Sequence, residues 1–128
     1  MGEKKVRFTI DQVTIVGDMN STELAQYVLK SWPINSNIQM WGDELYFPIP
    51  SCGETTDISV ETVNKGDIAY WPPGNSVCLF WGPTPISEEG EIRPASPVTV
   101  IGKVEGDATM LSNVKNGKSI TVDLIRDY

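Results

Sequence analysis

The sequence predicts a mainly β protein whose strands close, or nearly close, into a barrel of about eight strands with two short helices. Short apolar or alternating segments recur at regular spacing, and the residues between them are the Gly, Pro, Asn and Asp that turns require. Only two stretches carry a helical pattern. Residues 66–85, GDIAYWPPGNSVCLFWGPTP, concentrate the β signal and hold two of the four Trp. Pro72 and Pro73 have a fixed φ and no N–H to donate, so the chain leaves the sheet between the strands at 68–71 and 77–81, and a hairpin results.

The other elements follow in order. Residues 5–10 alternate, with Val6, Phe8 and Ile10 opposed to Lys5, Arg7 and Thr9, and residues 13–16 resume after an Asp11-Gln12 turn. Gly17-Asp18 is expected to end this hairpin. Asn20 offers an N-cap with Glu23 at capping-box spacing, and Leu24, Tyr27 and Val28 form an apolar helical stripe that runs to Ser31 before Pro33 stops it. Residues 38–41 and 44–49 make a second hairpin about Gly42-Asp43, ended by Pro48 and Pro50. Within 51–65, residues 52–56 read as a loop and Ile58, Val60 and Val63 as a short edge strand. Residues 86–97 read as a polar, solvated loop. The nearly continuous apolar run at 98–104 is expected to be a strand covered on both faces. Asp107 caps a short helix to Val114, and a last strand at 118–125 puts Ile120, Val122 and Leu124 on one face. Without repeats or a linker, residues 1–128 form one domain.

Composition excludes several function classes. Acids outnumber bases 17 to 10, for a net charge of -7, which argues against nucleic acid and against an anionic membrane surface. No apolar run reaches the length of a spanning helix, and the N-terminus enters its alternating pattern without an apolar signal core, so the cytosol is the expected address. Cys52 and Cys78 are expected to be free thiols. Histidine is absent, which removes Ser–His and Cys–His nucleophile systems and the common zinc sites, and no metal or cofactor is expected.

The order of elements resembles the cyclophilin barrel, and particular strings carry the likeness. Gly66-Asp67-Ile68-Ala69-Tyr70-Trp71-Pro72-Pro73-Gly74 falls where cyclophilins have Gly-x-Leu-Ser-Met-Ala-Asn-Ala-Gly. Val100-Ile101-Gly102-Lys103-Val104-Glu105-Gly106 resembles their Val-Phe-Gly-Lys-Val-x-x-Gly. Trp41-Gly42-Asp43-Glu44-Leu45-Tyr46-Phe47, residues 66–85 and Pro94-Ala95-Ser96 look like a small group of compact prokaryotic cyclophilin-like proteins whose biochemical role is unassigned.

Cyclophilins isomerise X–Pro bonds, and the resemblance implies a groove that holds the proline ring while an Arg stabilises the twisted amide. This chain departs from that pattern at each key position. Tyr46-Phe47-Pro48-Ile49 puts Pro48 where the Arg should stand, Val77 replaces the hydrogen-bonding Gln, and Leu79 replaces a pocket Phe. Trp71-Pro72-Pro73 replaces the segment that pairs with peptide, removing two donors. A hydrogen bond to a charged group is worth roughly 1.5–3 kcal/mol, so loss of the Arg alone costs about ten- to a hundredfold in rate.

The expected function is therefore a binding module for a proline-containing peptide, a protein or a small apolar ligand. A divergent, weak prolyl isomerase is the alternative. The resemblance puts Val77, Leu79 and Trp81 on an outward groove with Trp71, Tyr46 and Pro48, and Cys78 and Phe80 in the core. An exposed strip of that kind marks a ligand groove or a dimer seam. Asn75 either presents polar groups to a ligand or serves its turn, the turn being preferred. Arg93 either binds a carboxylate or pairs with Glu89 or Glu91, the pair being preferred. Asp43 and Glu44 are adjacent in a hairpin tip and point in different directions, which is poor geometry for a catalytic carboxylate pair.

Overall fold

A computed structural model describes residues 4–50 and 57–125. Within them, nine antiparallel strands form one sheet: β1 (Lys4–Ile10), β2 (Val13–Met19), β3 (Ile34–Asn37), β4 (Gln39–Met40), β5 (Glu44–Pro48), β6 (Asp67–Trp71), β7 (Ser76–Phe80), β8 (Thr99–Val104) and β9 (Ser119–Ile125). Their spatial order is β3-β9-β1-β2-β8-β6-β7-β5-β4. The two outer strands, β3 and β4, are consecutive in sequence, so the sheet curls nearly closed. Ser36 Oγ on β3 donates to the Pro48 carbonyl on β5 at 2.8 Å across the remaining seam.

The interior is filled from every side, with Val6, Phe8, Leu45, Phe47, Ile68 and Ile101 fully or almost fully buried. Helix α1 (Glu23–Lys30) packs Leu24, Ala25 and Val28 onto this core, while Tyr27 stays exposed. Its cap is Thr22, whose side chain accepts from the Ala25 amide. Asn20 acts one step earlier, accepting from the Thr22 amide at 3.1 Å. The Asp57 carboxylate accepts from the Glu23 and Leu24 amides, a charge suited to a helix N-terminus. The second helical element is a 3₁₀ helix at Ala108–Asn113, capped by Asp107 as its sequence predicts. No helix among the described residues is long and apolar enough to cross a membrane.

Several expectations are corrected. Gly17-Asp18 does not break β2, because Gly17 lies inside the strand, opposite Val6 and Val104. A Cβ there would sit 2.6 Å from Ile68 Cδ1, so glycine serves close packing at this position. Residues 38–41 contribute only the two-residue β4, and β3 is an additional strand. Val60 and Val63 form isolated bridges to Val98 and Ile92, while Ile58 is 83% exposed. Leu124 does share the face of Ile120 and Val122, as expected, but is exposed at the strand's end. The loop expected at 52–56, with Cys52, lies outside the described residues.

The largest correction concerns β7. Val77, Leu79 and Trp81 face the barrel interior and are buried. Cys78 and Phe80 take the opposite face, yet they too are buried, in a second cluster with Val63, Ala69, Ile92 and Val98. The segments around Val60–Val98 and Val63–Ile92 cover the outside of the sheet, so residues 86–97 are only partly a solvated loop.

Candidate functional site

The register of β5, β7 and β6 decides which side chains share the covered outer face. Tyr46 pairs with Cys78 and Cys78 with Ala69, while Pro48 pairs with Ser76 and Ser76 with Trp71. Alternation adds Glu44 and Phe80 to the same face. The covering segment stops short of closing this face completely. A half-open cavity of about 270 Å³ remains, lined by Trp41, Glu44, Tyr46, Trp71, Pro94 and Ala95.

Its walls are held from behind. Tyr46 and Trp71 meet edge to face, with ring centroids 5.9 Å apart. Trp71 Nε1 donates to Ser96 Oγ at 2.7 Å, which ties the ring to the Pro94-Ala95-Ser96 segment. Gly74, in the 3₁₀ turn Pro72–Gly74, lies beneath the same ring, and a Cβ there would fall 2.3 Å from it.

Glu44 supplies the cavity's polar group. It is 5% exposed, and its Oε1 has no hydrogen-bond partner among the described residues. Burial pushes its carboxyl up to about 7, against a smaller opposing effect from a hydrogen bond with Cys78. The Cys78 thiol is itself raised well above its ordinary value, first by burial and then by the neighbouring Glu44. Glu44 thus changes charge near neutrality, in a site with apolar walls. Cys78, raised and 1% exposed, is a poor nucleophile. Among the described residues no group of His, Cys, Asp and Glu has the arrangement of a metal site.

Of the residues singled out by sequence, Tyr46 and Trp71 line this cavity. Pro48 is exposed at the end of β5. Val77, Leu79 and Trp81 are core, not groove. Asn75 serves the turn, as preferred. It holds a left-handed φ of 47° after Gly74, accepts from the Tyr70 hydroxyl and donates to the Ile49 carbonyl at 2.6 Å. Arg93 is engaged by Glu91 at 2.7 Å and by Glu61 at 3.6 Å, so the preferred pair exists and the guanidinium is occupied. Sequence reasoning missed Trp41, Glu44, Pro94 and Ala95 as walls of one site.

A family model described as cyclophilin-like matches residues 4–123. The chain belongs to the cyclophilin-like family. It is also similar to the solution structure of the hypothetical protein AF2241 from Archaeoglobus fulgidus, at 34% identity and a TM-score of 0.81 over 96% of this chain and 95% of that one. No curated protein matches. Within this cyclophilin-like chain, the strings that carried the resemblance, residues 41–47, 66–85 and 94–96, supply every wall of the cavity. That convergence was the available signal for the missed residues.

Proposed function

We propose that this cyclophilin-like protein is a cytosolic binding module. Its ligand, a proline-containing peptide, a protein segment or a small molecule, places one compact group in the outer-face cavity. The observation that carries the reading is the cavity itself: three aromatic side chains, of which Tyr46 and Trp71 meet edge to face, line it together with a buried carboxyl that has an unused oxygen. Pockets of mostly apolar lining with one well-placed polar group are what ligand sites look like. Isomerase chemistry of the kind the resemblance to cyclophilins implies is not favoured, since that resemblance puts Pro48 at the Arg position and the guanidinium of Arg93 pairs with Glu91 and Glu61.

The test pairs two assays on the full chain. Proline-containing peptides and a set of small ligands are titrated against Trp fluorescence, and Ala-Pro and Phe-Pro peptides are followed in a protease-free isomerisation assay. The reading expects a saturable fluorescence change that Trp71→Leu abolishes, with no catalysed isomerisation. Acceleration by more than about tenfold would restore the divergent-isomerase alternative. Absence of any saturable change across the set removes the binding reading.

A further inference from the structure

We propose that the cavity selects an organic cation, an alkylated ammonium group seated among Trp41, Tyr46 and Trp71 with its charge toward Glu44. The proposal rests on the binding reading above and names the ligand class. Each aromatic face carries negative quadrupole density, so rings gathered about a small volume attract a cation from several sides. At the same cavity, Glu44 Oε1 is buried without a partner among the described residues, a costly state that a ligand's positive group relieves. Rings and carboxylate favour the same sign, whereas an anion would be opposed by Glu44. The volume of about 270 Å³ lies just under the range of drug-sized pockets, roughly 300–1,000 Å³, and suits a head group with a short tail. A net charge of -7 favours the approach of a cation.

Among the described residues, the protein's own charges do not fill the seat. From β7, Cys78 meets Glu44 with a thiol. Tyr46 follows on β5 itself. Asp43, in the preceding turn, directs its carboxylate at Gly82. On the covering segment Arg93 is held by Glu91 and Glu61. A bound cation stabilises the Glu44 carboxylate, so binding releases a proton whenever Glu44 begins protonated. Because that carboxyl titrates at about 7, affinity rises with pH, by about tenfold between about pH 6 and about pH 8.

The experiment titrates the full chain with tetramethylammonium, with choline and with 3,3-dimethyl-1-butanol, the uncharged carbon analogue of choline. Fluorescence reports occupancy, and calorimetry in two buffers of different ionisation enthalpy counts released protons. Both cations are expected to saturate, the alcohol to bind at least about tenfold more weakly, and the cation affinity to climb with pH as stated. Glu44→Gln is expected to flatten the pH profile. Should that variant fail to fold, the wild-type pH profile and the neutral analogue still decide. Equal binding of alcohol and cation overturns the proposal while leaving a binding module in place. No cation response up to about 10 mM overturns it as well, and the peptide and ligand titrations above then judge the module reading separately.

Discussion

Glu44 on β5 and Cys78 on β7 share the outer face of the sheet, a carboxyl beside a thiol beneath the covering segment. Desolvation outweighs the opposing effect of the thiol on the carboxyl, whose pKa stands at about 7, above its ordinary 4.5. The folded protein therefore keeps a proton that the unfolded chain gives up between these two values. Stability from this group is complete below about pH 4.5, declines as pH rises through the interval and is lost above about 7. A shift of that size corresponds to about 3 kcal/mol.

Glu44→Gln removes the titration while keeping the shape. Against wild type, the variant is expected to gain about 1–3 kcal/mol at pH 8 and much less at pH 5, measured by urea unfolding at both. A gap of equal size at the two pH values would show that Glu44 is not held protonated by its surroundings.

The thiol's position makes a second prediction. Cys78 is 1% exposed and its pKa is raised by burial and by Glu44, so little thiolate exists and little reagent reaches it. In a Cys52→Ser background, Cys78 is expected to react with a disulfide reagent only after denaturant is added. Rapid labelling of the native protein would show that the covering segment opens freely.

Trp71 depends on two small neighbours. Ser96→Ala removes the acceptor of its indole N–H and is expected to cost about 0.5–1.5 kcal/mol. Gly74→Ala forces a methyl against the ring, from which a Cβ is only 2.3 Å away, and is expected to displace it. Both variants should shift Trp emission and weaken whatever ligand the cavity takes. Lys115→Ala, at an exposed position outside the cavity lining, is the control and should leave emission unchanged. If Gly74→Ala leaves emission and binding untouched, Trp71 is not braced from below.

Strand positions were legible because turn residues bound them so sharply, as Pro72-Pro73-Gly74 bounds β6 and β7. The facing of β7 was not. Val77-Cys78-Leu79-Phe80-Trp81 is apolar at every position, and a run of that kind has no polar phase to mark the inside. Both faces are in fact buried, one by the barrel interior and the other by chain around Val63 and Ile92. Glu44 was obscured for the opposite reason. Beside Asp43 in a Gly-containing tip it reads as solvated, yet it is buried in a cavity that it shares with Pro94, fifty residues later in the chain. Long-range cover of this kind leaves no local trace.

Gly17 shows the same limit at a single atom. Sequence alone makes Gly17-Asp18 a strand end, but β2 passes through it because the missing Cβ admits Ile68 Cδ1 and Phe8 Cε2. Gly17→Ala would place its methyl 2.6 Å from the Ile68 Cδ1 position and 3.1 Å from the Phe8 ring. Overpacking in a filled interior costs about 1–3 kcal/mol. Ile68→Val removes that Cδ1 and on its own costs about 0.5–1.5 kcal/mol. The double variant is expected to be at least as stable as Gly17→Ala alone, because each change relieves the fault of the other. Strictly additive losses in a thermal-unfolding double-mutant cycle would mean that Gly17 is needed for backbone freedom rather than for the space it leaves to Ile68.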